Sequence, residues 1–162
     1  MNIKLKSLKS NFLKKKEKIA IFKIKNSHWS SSIKEQEKWF YDNIDKNDIH
    51  NLLYLNDTLI GYNCLRRITN NKLKKTFLLF DTVVIKEKLR ESKFGTILMI
   101  FNNLIIKEKK LPAMLLCDKR KIKFYEKNNW RLKKKIIKNK HVMTFNEKKI
   151  NSNQIFLVLK TL

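Results

Sequence analysis

The stretch from Thr76 to Cys117 constrains this chain more than any other. It holds two apolar, strand-forming runs, Thr76-Phe-Leu-Leu-Phe-Asp-Thr-Val-Val-Ile85 and Ala113-Met-Leu-Leu-Cys117. Between them, Ile97, Leu98, Phe101, Leu104 and Ile105 recur at helical spacing, and Pro112 stops the helix before the second run. Two strands joined by a helix form a crossover, which sets them parallel in one sheet. The 76–85 run is therefore expected beside the 113–117 run.

The other segments extend that sheet. Ile3 and Leu5 alternate with polar neighbours, as in a first strand. The runs 49–55 and 58–68 flank Asn56-Asp57, a pair suited to a tight hairpin turn. The runs 130–137, 141–145 and 154–159 read as closing strands. Segment 11–25 is ambiguous. Phe12, Ile19 and Phe22 make a helical stripe, whereas Ile19-Ala-Ile-Phe-Lys-Ile24 would suit a strand, and helix is the preferred reading. Ser32-Ile-Lys-Glu35 is a capping box that starts a second helix, with Ile33, Phe40 and Ile44 on one face. Residues 119–128 form a short helix carrying Ile122 and Tyr125 on the same side. The fold class is α/β (α+β): a mixed, mostly antiparallel sheet of six or seven strands with helices on both faces.

At 162 residues the chain suits one domain spanning 1–162, and no repeat or Gly/Ser/Pro-rich linker divides it. No apolar stretch approaches the roughly 20 residues of a membrane-spanning helix. The start, Met1-Asn-Ile-Lys-Leu-Lys, is charged where a signal peptide would be apolar. Cys64 and Cys117 each sit in an apolar run and read as free thiols of a reducing, cytoplasmic compartment. The net charge is +24, carried mainly by Lys, with Arg only at 66, 67, 90, 120 and 131. Arginine is the residue favoured for bidentate contacts to phosphates and bases, so its scarcity weakens a nucleic-acid reading. The enriched Lys, Asn and Ile have A/T-rich codons, and the scarce Gly, Pro and Ala have G/C-rich ones. The charge has two open origins, AT-rich coding and an acidic partner, and it would help gather an anionic ligand in either case.

The junction between the 76–85 strand and its following helix reads Ile85-Lys-Glu-Lys-Leu-Arg90-Glu-Ser-Lys-Phe-Gly95-Thr96. A helix N-terminus offers unpaired N–H groups and partial positive charge to phosphate oxygens, and a glycine there allows close backbone approach. This segment resembles the acetyl-CoA pyrophosphate loop of the GNAT superfamily, Gln/Arg-x-x-Gly-x-Gly/Ala. Arg90 and Gly95 hold the first and last positions, Phe94 fills the variable slot, and Lys93 replaces the middle glycine. Downstream, Asp118-Lys-Arg-Lys121-Ile-Lys-Phe-Tyr125 and Asn129-Trp130 are similar to the family's Asn-x-x-Ala-x-x-x-Tyr and Gly-Phe-like pair. Asp118 and Lys121 replace its Asn and Ala, and Asn129 its Gly. The resemblance is clearest over 76–132.

The resemblance implies an N-acetyltransferase that uses acetyl-CoA, without a metal. The strand bearing Val83, Val84 and Ile85 would splay from the 114–117 strand, leaving room for the pantetheine arm. Backbone groups of Val83 and Ile85 would bond its amides. The N–H groups of Arg90, Glu91, Ser92, Lys93, Phe94, Gly95 and Thr96 would cradle the pyrophosphate, with Asp118 also at the cofactor. Tyr125, a phenol protonated at neutral pH, would give its proton to the departing thiolate. Asp81, which shares strand parity with Val83 and Ile85, is the candidate general base; its bland alternative is a charged strand-end residue. His50 and His28 are further candidates, more often structural residues in such positions.

Neither Cys/His spacing for a metal nor a P-loop is present. The implied partner is a small-molecule or peptide amine, with no specific nucleic acid, no membrane, and homodimerisation left open. The acceptor would be read by segments 26–46 and 138–153. The cationic surface favours an anionic acceptor, first a nucleotide-linked amino sugar and next an acidic protein's N-terminus. Two other classes compete: a basic nucleic-acid-binding module, and a CoA-binding domain without catalysis, which burial of Tyr125 would favour. The dispersed lysines make a prediction for the first. Any nucleic-acid binding should be weak, sequence-independent and steeply lost with salt. An anisotropy series at rising salt checks it, and tight, sequence-selective binding at physiological salt would favour the nucleic-acid reading.

Overall fold

The computed structural model describes residues 2–71 and 73–146, so the strand expected at 154–159 lies outside the described residues. Seven strands appear: β1 (Ile3–Lys9), β2 (Ile49–Leu55), β3 (Thr58–Asn70), β4 (Lys75–Ile85), β5 (Ala113–Cys117), β6 (Arg131–Ile137) and β7 (Lys140–Phe145). The helices are α1 (Lys15–Asn26), α2 (Ile33–Asn43), α3 (Phe94–Lys109) and α4 (Ile122–Lys127). The strands are hydrogen-bonded in the order β1-β2-β3-β4-β5-β7-β6. The β4–β5 pair is parallel, while β1–β2, β2–β3, β5–β7 and β6–β7 are antiparallel. The sheet is thus mixed and mostly antiparallel, and the crossover read from the sequence is present.

The chain packs as two compact units, one containing the segments up to Arg66 and Thr82–Asn102, the other Arg67–Asp81 and the chain from Asn103 onward. In the first unit, Asn56 and Asp57 turn the β2–β3 hairpin at φ 46° and 62°. These are left-handed angles that Asn and Asp tolerate best among non-glycine residues. The ambiguous segment 11–25 is helical from Lys15. Its first turn is held by Glu17, which accepts the Lys14 backbone N–H at 2.8 Å and pairs with Lys6 of β1 at 2.5 Å. At the start of α2, Ser32 and Glu35 exchange the hydrogen bonds of the expected capping box.

Strand alternation sends side chains to two faces, and helices cover both. Leu52, Tyr62, Cys64 and Val84 pack with Ile21 and Phe22 of α1 and Phe40 of α2. On the opposite face, Leu53, Ile60, Val83 and Ile85 pack with Ile97 and Leu98 of α3. Gly61 faces that second layer, where a Cβ would stand 2.8 Å from Ile85 Cδ1 and 3.2 Å from Leu53 Cβ. A side chain at this position would require Ile85 or Leu53 to shift.

Two helical stripes differ from the sequence reading. Ile33 is 40% exposed, and α2 buries Gln36 with Phe40 instead. In α3, Leu104 is 57% exposed, and the buried stripe is Leu98, Met99, Asn102, Asn103 and Ile106. Apolar identity misplaced that stripe because two of its buried positions are asparagines.

Asn102 meets another buried amide, that of Asn51. Asn51 and Asn63 are register partners on β2 and β3, and Asn51 Nδ2 donates to Asn102 Oδ1 at 3.3 Å. All three are fully buried. Asn51 Oδ1, Asn102 Nδ2 and both polar atoms of Asn63 have no hydrogen-bond partner among the described residues.

In the second unit, β5 is flanked on both sides. It pairs with β7 from Ala113↔Phe145 to Cys117↔His141, whereas its parallel register with β4 covers Leu78↔Ala113 and Leu79↔Met114. Phe80 and Asp81 continue β4 beyond that register. Phe77, Leu79, Met114 and Val142 form one apolar cluster. Phe80, Tyr125, Trp130 and Phe145 form a chain of ring contacts. Trp130 Nε1 donates to Asn103 Oδ1 at 3.0 Å, and Asn103 Nδ2 donates to the Asn128 carbonyl at 2.8 Å.

Because Asn63 has no side-chain partner to orphan among the described residues, Asn63→Leu removes two desolvated polar atoms and substitutes a side chain of the same branching and heavy-atom count. Stability should rise by about 1 kcal/mol, within the range for an unmade buried hydrogen bond. Urea denaturation checks this as a higher midpoint at unchanged slope. A lowered midpoint would mean that the amide has a partner in solution.

Candidate active site

The candidate cofactor loop lies wholly in the first unit. Val83 and Ile85 anchor the end of β4 in the layer beneath α3, with Val84 on the other face. The strand stays tied to β3 through the Lys86 N–H, which donates to the Ile60 carbonyl at 2.8 Å. A single 3-10 turn, Glu87–Leu89, follows, and Glu91 adopts a left-handed φ of 65°. Ser92 Oγ donates back to the Leu89 carbonyl, closing the loop. The first intrahelical bond of α3 runs from Ile97 N–H to Lys93 O at 3.0 Å. Helix geometry therefore leaves the N–H groups of Phe94, Gly95 and Thr96 without an intrahelical acceptor. The helix begins at Phe94, with Gly95 in its first turn and φ not positive at either glycine.

Arg90 is fixed from three sides. Its Nη2 donates to His28 Nδ1 at 2.8 Å, its Nε reaches the Ile85 carbonyl at 3.4 Å, and Nη1 lies 3.5 Å from Glu87 Oε1. The partnership with His28, 62 residues away, has no signal in the sequence.

In the second unit, Asp118 follows β5 and pairs with Lys140 Nζ at 2.5 Å. That hydrogen bond holds its carboxyl below the usual range, with the charges of Lys140, Arg120 and Lys121 adding to it. Tyr125, on α4, is 7% exposed and packs edge-on against Phe80, Phe124 and Trp130. Burial raises its phenol far above the ordinary value, and the neighbouring Cys117 raises it further. Cys117 is itself raised, by burial and then by Asp118. Asn129, which stands where the resemblance has a glycine, has a left-handed φ of 67°. Asp81 is exposed on β4.

No family model matches the sequence, and no curated protein matches it. Solved structures do match. The PaiA N-acetyltransferase of Thermoplasma acidophilum, in complex with coenzyme A, aligns over 89% of this chain and 98% of its own, at TM-score 0.62 and 19% identity. An acyl-CoA N-acyltransferase of Pseudomonas aeruginosa aligns over 88% and 99%, at TM-score 0.67 and 11% identity. An Arabidopsis thaliana protein in complex with the bisubstrate analogue CoA-Ac-MVNAL aligns over 90% and 99%, at TM-score 0.65 and 16% identity. This chain has the GNAT fold.

Within the GNAT fold, residues 86–93 join the end of β4 to the N-terminus of α3. His50 is different. It is fully buried on β2, with Nε2 2.8 Å from Ser10 Oγ and Nδ1 2.9 Å from Tyr62 Oη. Ser10 spends its own proton on the Asp48 carbonyl at 3.2 Å, so it must accept from Nε2–H. Nδ1 of the neutral ring then accepts from the Tyr62 hydroxyl. The chain Tyr62 to His50 to Ser10 to Asp48 ties β3, β2 and the start of the first helical segment together. Burial, with Lys25 and Lys18 nearby, lowers the His50 pKa to about 4. The ring is a buried strut and has no open route to a substrate proton.

That strut predicts a pH dependence. The folded pKa lies below the unfolded value of about 6.5, so protonation favours the unfolded chain. The contribution of neutral His50 is complete above pH 6.5 and is lost as pH falls through about 4. The stability difference between wild type and His50→Gln should shrink by on the order of 3 kcal/mol between pH 7 and 4. Denaturant titrations of both proteins across that range check it, and a constant difference would remove the buried neutral ring.

Proposed function

We propose that the chain, acting as one acetyltransferase domain, transfers an acetyl group from acetyl-CoA to a primary amine. The observation that carries this reading is the α3 N-terminus. Open N–H groups at Phe94–Thr96, a left-handed Glu91 and the Arg90 guanidinium, bonded to the Ile85 carbonyl, all belong to the short segment that follows β4. Such a site suits a diphosphate. The GNAT fold, with a coenzyme A complex among similar structures, supports the same ligand.

In this reading the amides from Glu91 to Thr96 hold the diphosphate, because the Arg90 N–H expected among them is already given to the Glu87 carbonyl at 3.0 Å, and Lys93, exposed at the helix start, adds charge where the family pattern has glycine. Main-chain groups of Val83 and Ile85 bond the pantetheine amides, with Val84 packed away from them. Asp118, already paired with Lys140, orders the segment following β5. A neutral amine attacks the thioester carbonyl, the carbon–sulfur bond breaks, and the thiolate takes a proton from Tyr125. Asp81, exposed to water, accepts the proton the amine loses. The net charge of +24 supports an anionic acceptor, first a nucleotide-linked amino sugar and next an acidic protein's N-terminus. The buried free thiols Cys64 and Cys117 fit a reducing cytoplasm.

One observation favours a second reading. Tyr125 is 7% exposed, as in a domain that binds CoA without transferring acetyl groups. Calorimetry with CoA and turnover of acetyl-CoA separate the two. Wild type should bind, and Gly95→Ile should not, because a β-branched side chain in the first turn blocks close approach. Unchanged affinity in that variant would move the diphosphate elsewhere. Tyr125→Phe should keep CoA affinity and lose roughly 10²–10⁴-fold in turnover. Intact turnover in a folded Tyr125→Phe protein removes the phenol from the chemistry.

A further inference from the structure

The turn joining α1 to α2 is built firmly. The N–H groups of His28 and Trp29 both donate to the Lys25 carbonyl, at 2.9 and 3.0 Å. Ser27 Oγ donates to the Ile24 carbonyl at 2.8 Å, and Ser31 N–H donates to the Trp29 carbonyl at 2.8 Å. Trp29 packs edge-on against the His28 ring, centroids 4.4 Å apart. His28 is thereby presented at a fixed place, and Arg90 Nη2 meets it at 2.8 Å. A guanidinium only donates, so His28 Nδ1 accepts and the neutral ring carries its proton on Nε2.

We propose that His28 is a positioning residue for the cofactor loop: it holds the Arg90 guanidinium at the end of β4, in the loop that leads into α3, so that the α1–α2 turn is mechanically part of the diphosphate site. The claim rests on the CoA-binding reading. Three of the five guanidinium N–H donors face His28, Ile85 and Glu87. The other two are left for anionic oxygens. The contact to His28 is the shortest of the three, while the others lie at 3.4 and 3.5 Å and come from Arg90's own loop. Without His28, a long side chain on an exposed loop would sample many rotamers and lose that freedom again on binding. His28 removes part of that cost in advance. Trp29, in contact with the His28 ring, should then report events at Arg90.

The test is CoA titration by calorimetry on wild type, His28→Ala, Arg90→Ala and the double variant. His28→Ala should weaken binding roughly 5- to 10-fold, about one charge-assisted hydrogen bond. The double variant should bind no worse than Arg90→Ala, because His28 acts only through the arginine. His28→Gln, which retains a side-chain acceptor, should recover most of the loss. CoA should also change the Trp29 emission, identified by comparison with Trp29→Phe, and Arg90→Ala should abolish that change. Wild-type affinity or tighter binding in His28→Ala overturns the proposal, as do losses that multiply in the double variant. Failure of wild type to bind CoA overturns the cofactor reading and this proposal with it, whereas normal wild-type binding with an unaffected His28→Ala removes this proposal alone.

Discussion

The parallel contact of β4 with β5 governs the molecule, although its register covers only Leu78↔Ala113 and Leu79↔Met114. Parallel neighbours cannot be joined by a tight turn, so the chain must leave β4, cross a face, and return. The crossover here is the 16-residue helix α3. A helix returning along a sheet starts where the preceding strand ends, so its unpaired N–H groups open beside Ile85. The proposed anion site is therefore a product of connectivity as well as of its own residues.

Much of this was legible because backbone geometry follows local pattern. The hairpin at Asn56-Asp57, the Ser32–Glu35 capping box, the crossover and the loop before α3 each depend on residues close in sequence. Turns were harder to see by their usual marker. The chain has two glycines, neither at positive φ, and places Asn, Asp, Lys and Glu at its left-handed positions. Asn129 and Glu91, both within the segments that resemble the GNAT motifs, are examples. The helix α3 begins at Phe94 because Lys93 supplies the first helical carbonyl, and so takes the cap position itself.

What the sequence concealed were polar contacts across long separations. Nothing near His28 marks Arg90 as its partner, and nothing near His50 marks Ser10 or Tyr62. The asparagines at 51, 63, 102 and 103 lie inside apolar runs, where pattern reading treats them as interruptions. They have unlike fates. Asn103 is satisfied by Trp130 and the Asn128 carbonyl, whereas Asn63 carries two buried atoms without a partner. Composition cannot distinguish these cases, because each depends on what arrives from another element.

The burial of Tyr125 bears on its proposed role through a difference of acidities and not through one value. A phenol raised by burial stays protonated at neutral pH, as a donor must, but it is also a weaker acid. An ordinary thiol titrates near 8.5, so a solvated thiolate would take the proton from such a phenol only uphill. The local environment moves sulfur in the same direction, however. Cys117, close enough to raise Tyr125, is itself raised by burial. Under the proposed function, a coenzyme thiolate formed at comparable depth is destabilised as the phenolate is, and the gap between donor and acceptor narrows again. Low exposure then excludes water from the transfer without preventing it, provided that the sulfur reaches the phenol. The catalytic and binding-only readings therefore turn on access to the hydroxyl rather than on its acidity.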